Sequence, residues 1–263
     1  MTADPVLMEV DARGIAHVTL NRPHVNNAYD GALIEGLLRG IDAIAADPRV
    51  RLVVIRGNGR HFQAGADLAW INALGKLGPD ENREASRRTA RAVLGLDGLD
   101  KPTLALVHGG CFGGGVGMLC ACDVVIASED AIFAITEARW GLAATIIVPQ
   151  LVAALGIRDV RRYALTCERF DARRALEIGL VHEVCPTGGL EAAAAPVIES
   201  LLRCGPDALA LTKRLCREDA HLDLSDEHLE RLVALHSDKR RSAEAAEGTA
   251  SFLEKRDPSW YPA

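Results

Sequence analysis

Residues 109 to 115 hold five glycines in seven positions, and a sixth follows at Gly117. Such a run costs backbone entropy wherever it is ordered. A chain that keeps it must need several bare amides facing a ligand, or two segments packed too closely for side chains. The run lies between Thr103 to Val107, a short apolar stretch that reads as a buried strand, and a helical pattern from about 114 to 121. A strand, a glycine-rich turn and a helix in that order leave the first amides of the helix free to donate to a ligand.

The same alternation of strand and helix runs through the first part of the chain. His17 to Leu20 opens a first strand, and Asn21-Arg22-Pro23 ends it, because proline cannot donate to a ladder. Leu33, Leu37, Leu38, Ile41 and Ile44 follow at helical spacing until Asp47-Pro48. Leu52 to Arg56 is a short apolar run, hence a buried strand. A charged helix is predicted over 80–97 and a strand over 123–127, and the order argues for a layered α/β fold with mostly parallel pairing. After Asp159 only helical patterns remain, near 159–166, 171–178, 189–203, 205–219 and 225–252. The organisation expected is a core domain over 1–200 and a helical region over 201–263. Leu74 to Asn82, with two glycines and a proline, reads as a surface loop able to cover a ligand.

Composition narrows the functional classes. The 263 residues, 49% of them hydrophobic, suffice for one large core. A net charge of -6, with only five lysines among thirty basic residues, gives no global attraction to nucleic acid or an anionic membrane. Seven scattered cysteines without CxxC spacing read as reduced core filler, and no metal site is expected. Residues 1–11 lack a basic and apolar leader pattern, and the apolar stretch from Gly141 to Ile157 is broken by Pro149 and Gln150. A cytoplasmic protein is the expectation.

Three segments carry candidate chemistry. In Gly59-Arg60-His61-Phe62-Gln63-Ala64-Gly65-Ala66-Asp67-Leu68, small residues let the backbone approach a ligand, although a plain strand-to-helix turn capped by Asp67 would look the same. The glycine run, His108 to Gly117, contains fragments of dinucleotide-loop spacing but lies mid-chain, and no ribose-binding acid or phosphate-loop lysine accompanies it. In Phe133-Ala134-Ile135-Thr136-Glu137-Ala138-Arg139-Trp140-Gly141-Leu142 one carboxylate sits in an apolar neighbourhood, where desolvation raises a pKa and suits proton transfer. An ion pair of Glu137 with Arg139 or another arginine is the competing reading. His61 and His108 read as structural, and Trp140 as core.

In their order, these segments resemble the crotonase (enoyl-CoA hydratase/isomerase) family over nearly the whole chain. The resemblance implies a spiral of ββα repeats with a helical C-terminal trimerisation region, assembling as a homotrimer or dimer of trimers. It implies an oxyanion hole from the amides of Ala66 and Gly114, with Glu137 as catalytic acid and base. Asn21-Arg22-Pro23 and Asn26-Asn27-Ala28 match the family's CoA-binding loop, so Arg22, Asn26, Ala28, Ala64, Asp67 and Leu68 are implied to contact coenzyme A. Lys255, in the C-terminal Phe252-Leu253-Glu254-Lys255-Arg256, is implied to reach a CoA phosphate, across a subunit interface if need be. No cofactor beyond the coenzyme A of the substrate is implied.

One departure bears on the reaction. Family hydratases carry a second glutamate after the G-G-G run, and that position is Gly117. A glycine there, with Gly65-Ala66-Asp67-Leu68-Ala69-Trp70 and Arg162-Tyr163-Ala164-Leu165-Thr166, is similar to the bacterial methylglutaconyl-CoA and carboxygeranoyl-CoA hydratase branch. The activity implied is addition of water to a branched glutaconyl-type acyl-CoA such as 3-methylglutaconyl-CoA, with Arg139 a candidate partner of the distal carboxylate. An enoyl-CoA delta-isomerase using one glutamate is the first alternative, and an RNA-binding or non-catalytic acyl-CoA-binding protein the alternative of another class.

Overall fold

A computed structural model describes residues 4–218, 226–240 and 242–262. In chain order these form β1 (Val6–Val10), β2 (Ile15–Leu20), α1 (Gly31–Ala46), β3 (Leu52–Gly57), α2 (Leu68–Leu74), α3 (Pro79–Asp97), β4 (Thr103–Val107), β5 (Gly110–Phe112), α4 (Gly114–Cys120), β6 (Val124–Ser128) and β7 (Ile132–Ala134). Then come α5 (Val148–Thr166), β8 (Phe170–Asp171), α6 (Ala172–Glu177), β9 (Glu183–Cys185), α7 (Leu190–Arg203), α8 (Pro206–Glu218), α9 (Asp226–Arg240) and α10 (Ala243–Glu254).

Two sheets organise the layers. The larger runs β1-β2-β3-β4-β6-β9 and is parallel apart from the β1–β2 hairpin, while the smaller runs β5-β7-β8. β4 and β6 enter the large sheet, and the short strands that follow them, β5 and β7, enter the small one. That is the ββα repeat that the resemblance implies. The central strands are apolar throughout because both faces are covered. Val53, Ile55, Ala105 and Val125 face the main core with Leu33 and Leu96, whereas Leu52, Val54, Leu104 and Ile126 pack with Leu190, Ala194 and Leu202 of α7.

Several expectations are corrected. β1 went unread because it is an edge strand whose middle residues Leu7, Met8 and Glu9 are exposed, so no alternation appears. The segment after Asp159 is not helical alone: β8 and β9 pair with β7 and β6, and three residues are too few to show a period. α5 starts eleven residues before 159, at Val148, and bends at Gly156, whose φ is 72°. The helical stretch over 225–252 is two helices, α9 and α10, and the expected 74–82 loop is largely the ends of α2 and α3.

One buried side chain ties the loop after β2 to the exit of β3. Asn27, fully buried with φ 57°, donates from Nδ2 to the carbonyls of Asn58 (2.8 Å), His61 (2.9 Å) and Phe62 (3.2 Å) and accepts from the Arg22 amide (2.8 Å). A Cβ on Gly57 would lie 2.9 Å from that Nδ2, so the glycine leaves room for it. Removing the amide strands several buried backbone groups, each costing about 1–3 kcal/mol. Asn27→Ala should therefore lower the free energy of unfolding in urea by about 3 kcal/mol; a change near zero would contradict this account.

Candidate active site

Two strand exits are stitched together beside the large sheet. Phe62 N donates to His108 O (3.1 Å), Gln63 N to Gly110 O (3.2 Å) and Phe112 N to Gln63 O (2.9 Å), and Gln63 and Cys111 form a parallel bridge. Ala66 and Gly114 each lie three residues beyond that bridge, so equal steps along parallel segments bring them to one level. Gly65 (φ 84°) and Gly113 (φ 51°) make the turns, and a Cβ on Gly65 would come within 3.2 Å of Phe112 O.

The amides on this level are unspent. Gly114 opens α4, where an amide has no intrahelical acceptor. Around Ala66, Tyr29 N donates to Gly65 O (2.9 Å) and Asp67 N to Tyr29 O (2.9 Å), which pins both neighbours. Among the described residues neither the Ala66 nor the Gly114 amide donates to a protein acceptor. Two free donors held by fixed backbone can receive an oxygen that gains negative charge during a reaction, with no reorganisation at that moment.

Glu137 stands beside this pair. It opens a 3-10 turn, Glu137–Trp140, after β7, and its Oε1 lies 3.1 Å from the point a Cβ on Gly113 would occupy. Its Oε2 is buried with no hydrogen-bond partner among the described residues. Burial pushes its pKa up, offset in part by the backbone amides of Glu137 and Thr136. The competing ion pair does not form: the Arg139 guanidinium lies instead against Cys167 O at 3.5 Å. Trp140 is exposed rather than core, because the turn carries it outward.

No acid can stand at 117 in this packing. A Cβ there would meet Ile147 Cγ2 at 2.3 Å and Ile147 Cβ at 2.6 Å, and both residues are buried. The place of a second carboxylate is filled by hydrocarbon. Tyr29, which sequence reasoning passed over, packs against Gly114 from the other side: its Cε1 and Oη lie 2.7 and 3.2 Å from a Cβ built on that glycine. Its only sequence signal was to follow Asn26-Asn27-Ala28.

The residues implied to hold coenzyme A gather around the same loop, with one exception. Arg22 pairs with Asp30 (2.8 Å) and Asp67 (3.6 Å) and donates to Ala28 O, so its charge is already balanced within the protein. Asn26, exposed at φ 54°, accepts the Ala64 amide at 3.0 Å; Ala28 is buried. Asp67 caps α2 by accepting from Ala69 and Trp70, and Leu68, the first residue of α2, is exposed. Lys255 caps α10 on the exposed end of the C-terminal region, and no hydrogen bond or ion pair joins it to this cluster. His61 accepts the Gly110 amide at 2.7 Å and His108 pairs with Gly59 O at 2.9 Å, both structural roles.

A cavity of about 380 Å³ opens from Tyr29, Gln63 and Gly114 and runs between α1, α3 and the sheet. Its walls near the free amides are Leu33, Met118, Ile146 and Ile147. The lining follows α1 from Leu33 to Ile44, roughly 16 Å of helix at 1.5 Å per residue. Arg39 and Asp4 are its charged lining residues. Among the described residues no His, Cys, Asp and Glu group could hold a metal ion, and no helix is long and apolar enough to cross a membrane.

Residues 11–262 match the enoyl-CoA hydratase/isomerase family, and the chain belongs to it. An enoyl-CoA hydratase structure from Shewanella pealeana superposes with a TM-score of 0.93 at 34% identity, covering 97% of this chain and 96% of that one. The 2,3-dehydroadipyl-CoA hydratase of Escherichia coli is 31% identical over 92% of this chain and 93% of its own length. A mitochondrial Delta(3,5)-Delta(2,4)-dienoyl-CoA isomerase from Dictyostelium discoideum is 30% identical over 94% of this chain and 88% of its own. The chain is therefore similar to hydratases and isomerases alike.

Two predictions follow from the packing and charge of Gly117 and Glu137. Gly117→Ala should cost about 1–3 kcal/mol through overpacking, and Ile147→Ala in the same chain should return a large part of it, as a double-mutant cycle in urea would read. Glu137 has a folded pKa above the ordinary carboxylate value, so its contribution to stability is present below that value and lost as pH rises through the folded one. Glu137→Gln should accordingly gain stability on wild type at about pH 8 relative to about pH 4 in thermal unfolding; a pH-independent difference would refute the burial effect.

Proposed function

We propose that the protein adds water across the double bond of an α,β-unsaturated acyl-CoA. The single observation that supports this most is a buried, unpartnered carboxylate oxygen on Glu137 beside two unspent backbone amides, Ala66 and Gly114. The thioester oxygen accepts from those two amides, each typically worth about 3 kcal/mol as the oxygen becomes negative. Glu137 takes a proton from water as the water oxygen bonds to Cβ, and the double-bond electrons move toward the thioester oxygen. The same carboxyl then returns the proton to Cα on the same face, giving syn addition with one acid. Its raised pKa brings it nearer that of the groups it exchanges protons with.

The loop at 21–30 with Ala64, Asp67 and Leu68 is proposed to carry coenzyme A, with Arg22 ordering the loop through Asp30 and Asp67. Phe252 and Leu253, 82% and 78% exposed on α10, are large apolar side chains that favour assembly of the helical region into a trimer or dimer of trimers. In such an assembly Lys255 can serve a neighbouring site.

Two acyl classes fit in different ways. The glycine at 117 favours a branched glutaconyl-type acyl group, and a relative is named for dehydroadipyl-CoA, the half-thioester of a diacid. The cavity favours an apolar tail instead, since aliphatic side chains line it near the amides and Arg39 lies along α1. The wall chemistry ranks the apolar tail first. Isomerisation of a β,γ-unsaturated thioester is the second reading, favoured by Ile147 against Gly117, which leaves no room for a second acid at 117 beside Glu137.

Turnover of crotonyl-CoA, 2-dodecenoyl-CoA, 3-methylglutaconyl-CoA and a 3-enoyl-CoA, with products identified by mass, separates these readings. The result expected is hydration, fastest with the dodecenoyl ester, and its loss by at least about 10³-fold in Glu137→Gln with ester binding kept. Double-bond migration without water uptake would overturn hydration.

A further inference from the structure

We infer that the Tyr29 hydroxyl is a catalytic group that holds the attacking water opposite Glu137, taking over the place left by the absent carboxylate at 117. The inference rests on the hydration reading above. It starts from a shortage: water must be oriented by two groups to present a lone pair to Cβ, yet Ile147 fills the space beside Gly117, and among the described residues Glu137 is the carboxylate left with a buried, unpartnered oxygen.

Tyr29 has the required position. Its ring lies over Gly114, with Oη 3.2 Å from a Cβ built there, while Glu137 Oε1 stands 3.1 Å from the Cβ position of the preceding Gly113. Two polar groups thus flank two consecutive residues of the same turn, and Tyr29 and Gly114 both line the cavity. The ring is fixed from outside by Trp70, edge to face with centroids 6.0 Å apart. Its backbone is fixed by the bonds to Gly65 and Asp67 that also set Ala66.

The hydroxyl is chemically free for the task. Among the described residues Tyr29 Oη makes no protein hydrogen bond, and its half-buried ring borders the cavity, where water can reach the oxygen. Burial, with the nearby Glu137 charge, pushes its pKa up to about 12, so it stays a neutral phenol through the working range. A neutral phenol accepts one hydrogen of the water through its oxygen. The second hydrogen goes to the Glu137 carboxylate as the water oxygen bonds to Cβ, and Glu137 hands that proton to Cα; Tyr29 neither gains nor loses a proton overall. Sequence patterning gives no sign of the group because a single tyrosine ahead of a helix belongs to no motif.

The test separates water binding from proton transfer. Tyr29→Phe keeps the ring against Trp70 and Gly114 and removes only the oxygen. Hydration kcat should fall about 10²-fold with KM within about threefold. Exchange of the α-proton of a saturated acyl-CoA with D2O, which needs only Glu137 and the two amides, should stay within about threefold of wild type. Equal loss of hydration and exchange would assign Tyr29 a merely structural role and overturn the inference, as would undiminished hydration. Should wild type exchange the α-proton and move double bonds yet add no water, the hydration reading itself fails and the inference with it; Glu137→Gln, which must abolish exchange in either case, tells that failure from a misplaced base. Tyr29→Leu is the second variant if Phe lowers the melting temperature, and its hydration-to-exchange ratio must shift the same way.

Discussion

The short parallel pairing between Gln63 and Cys111 holds the site together. It aligns two segments that lie almost fifty residues apart in sequence and sets Ala66 and Gly114 the same number of steps beyond it. Isolated, each segment is a strand-to-helix turn with a few free amides. Joined, they present two donors to one point. Asn27 reinforces the arrangement from behind by bonding the backbone at 58, 61 and 62, and Tyr29 does so from the side through Gly65 and Asp67. The glycines at 57, 65, 113 and 115 serve close approach, since a Cβ at Gly115 would meet Gln63 Oε1 at 2.4 Å.

Burial then decides the chemistry of the side chains around that point. Burial raises the pKa of Glu137, whose Oε2 has no partner, and among the described residues no ion pair with an arginine relieves it. Arginines elsewhere find their acids: Arg22 bonds Asp30 and Asp67, and Arg174 bonds Asp159 and Glu177. A buried carboxylate with an unpartnered oxygen is a candidate for proton transfer. The cavity that reaches Gly114 is lined mainly by aliphatic side chains, and a low-polarity surrounding strengthens the pull of the amides on a developing charge.

The fold was readable in outline where elements are long and apolar. β3, β4 and β6 lie within one or two residues of their expected positions, because strands buried on both faces are continuous runs of Val, Ile and Leu. The helices α1, α3, α7 and α8 followed from their spacing. β1, β5, β7, β8 and β9 did not, since an exposed edge strand and strands of two or three residues carry no period. They exist by pairing, and pairing is a property of the folded chain.

By itself the sequence determined the family, the alternation of strand and helix and the glycine turns, and it singled out Glu137 as a candidate, because backbone freedom and a lone carboxylate among apolar residues are local signals. Tertiary structure alone decided which of those residues act together. Arg22 is a candidate coenzyme A contact in sequence, and folding pairs it with Asp30 in its own loop and with Asp67 at the start of α2. Gly117 appears as a missing acid, yet the reason no acid fits is Ile147, thirty residues on, whose Cγ2 would lie 2.3 Å from any Cβ. Tyr29 carries no functional signal in the sequence, yet its hydroxyl lies beside Gly114 with no protein hydrogen bond among the described residues. Partnership between groups far apart in the chain depends on distances of a few ångströms, and only the packed fold sets those.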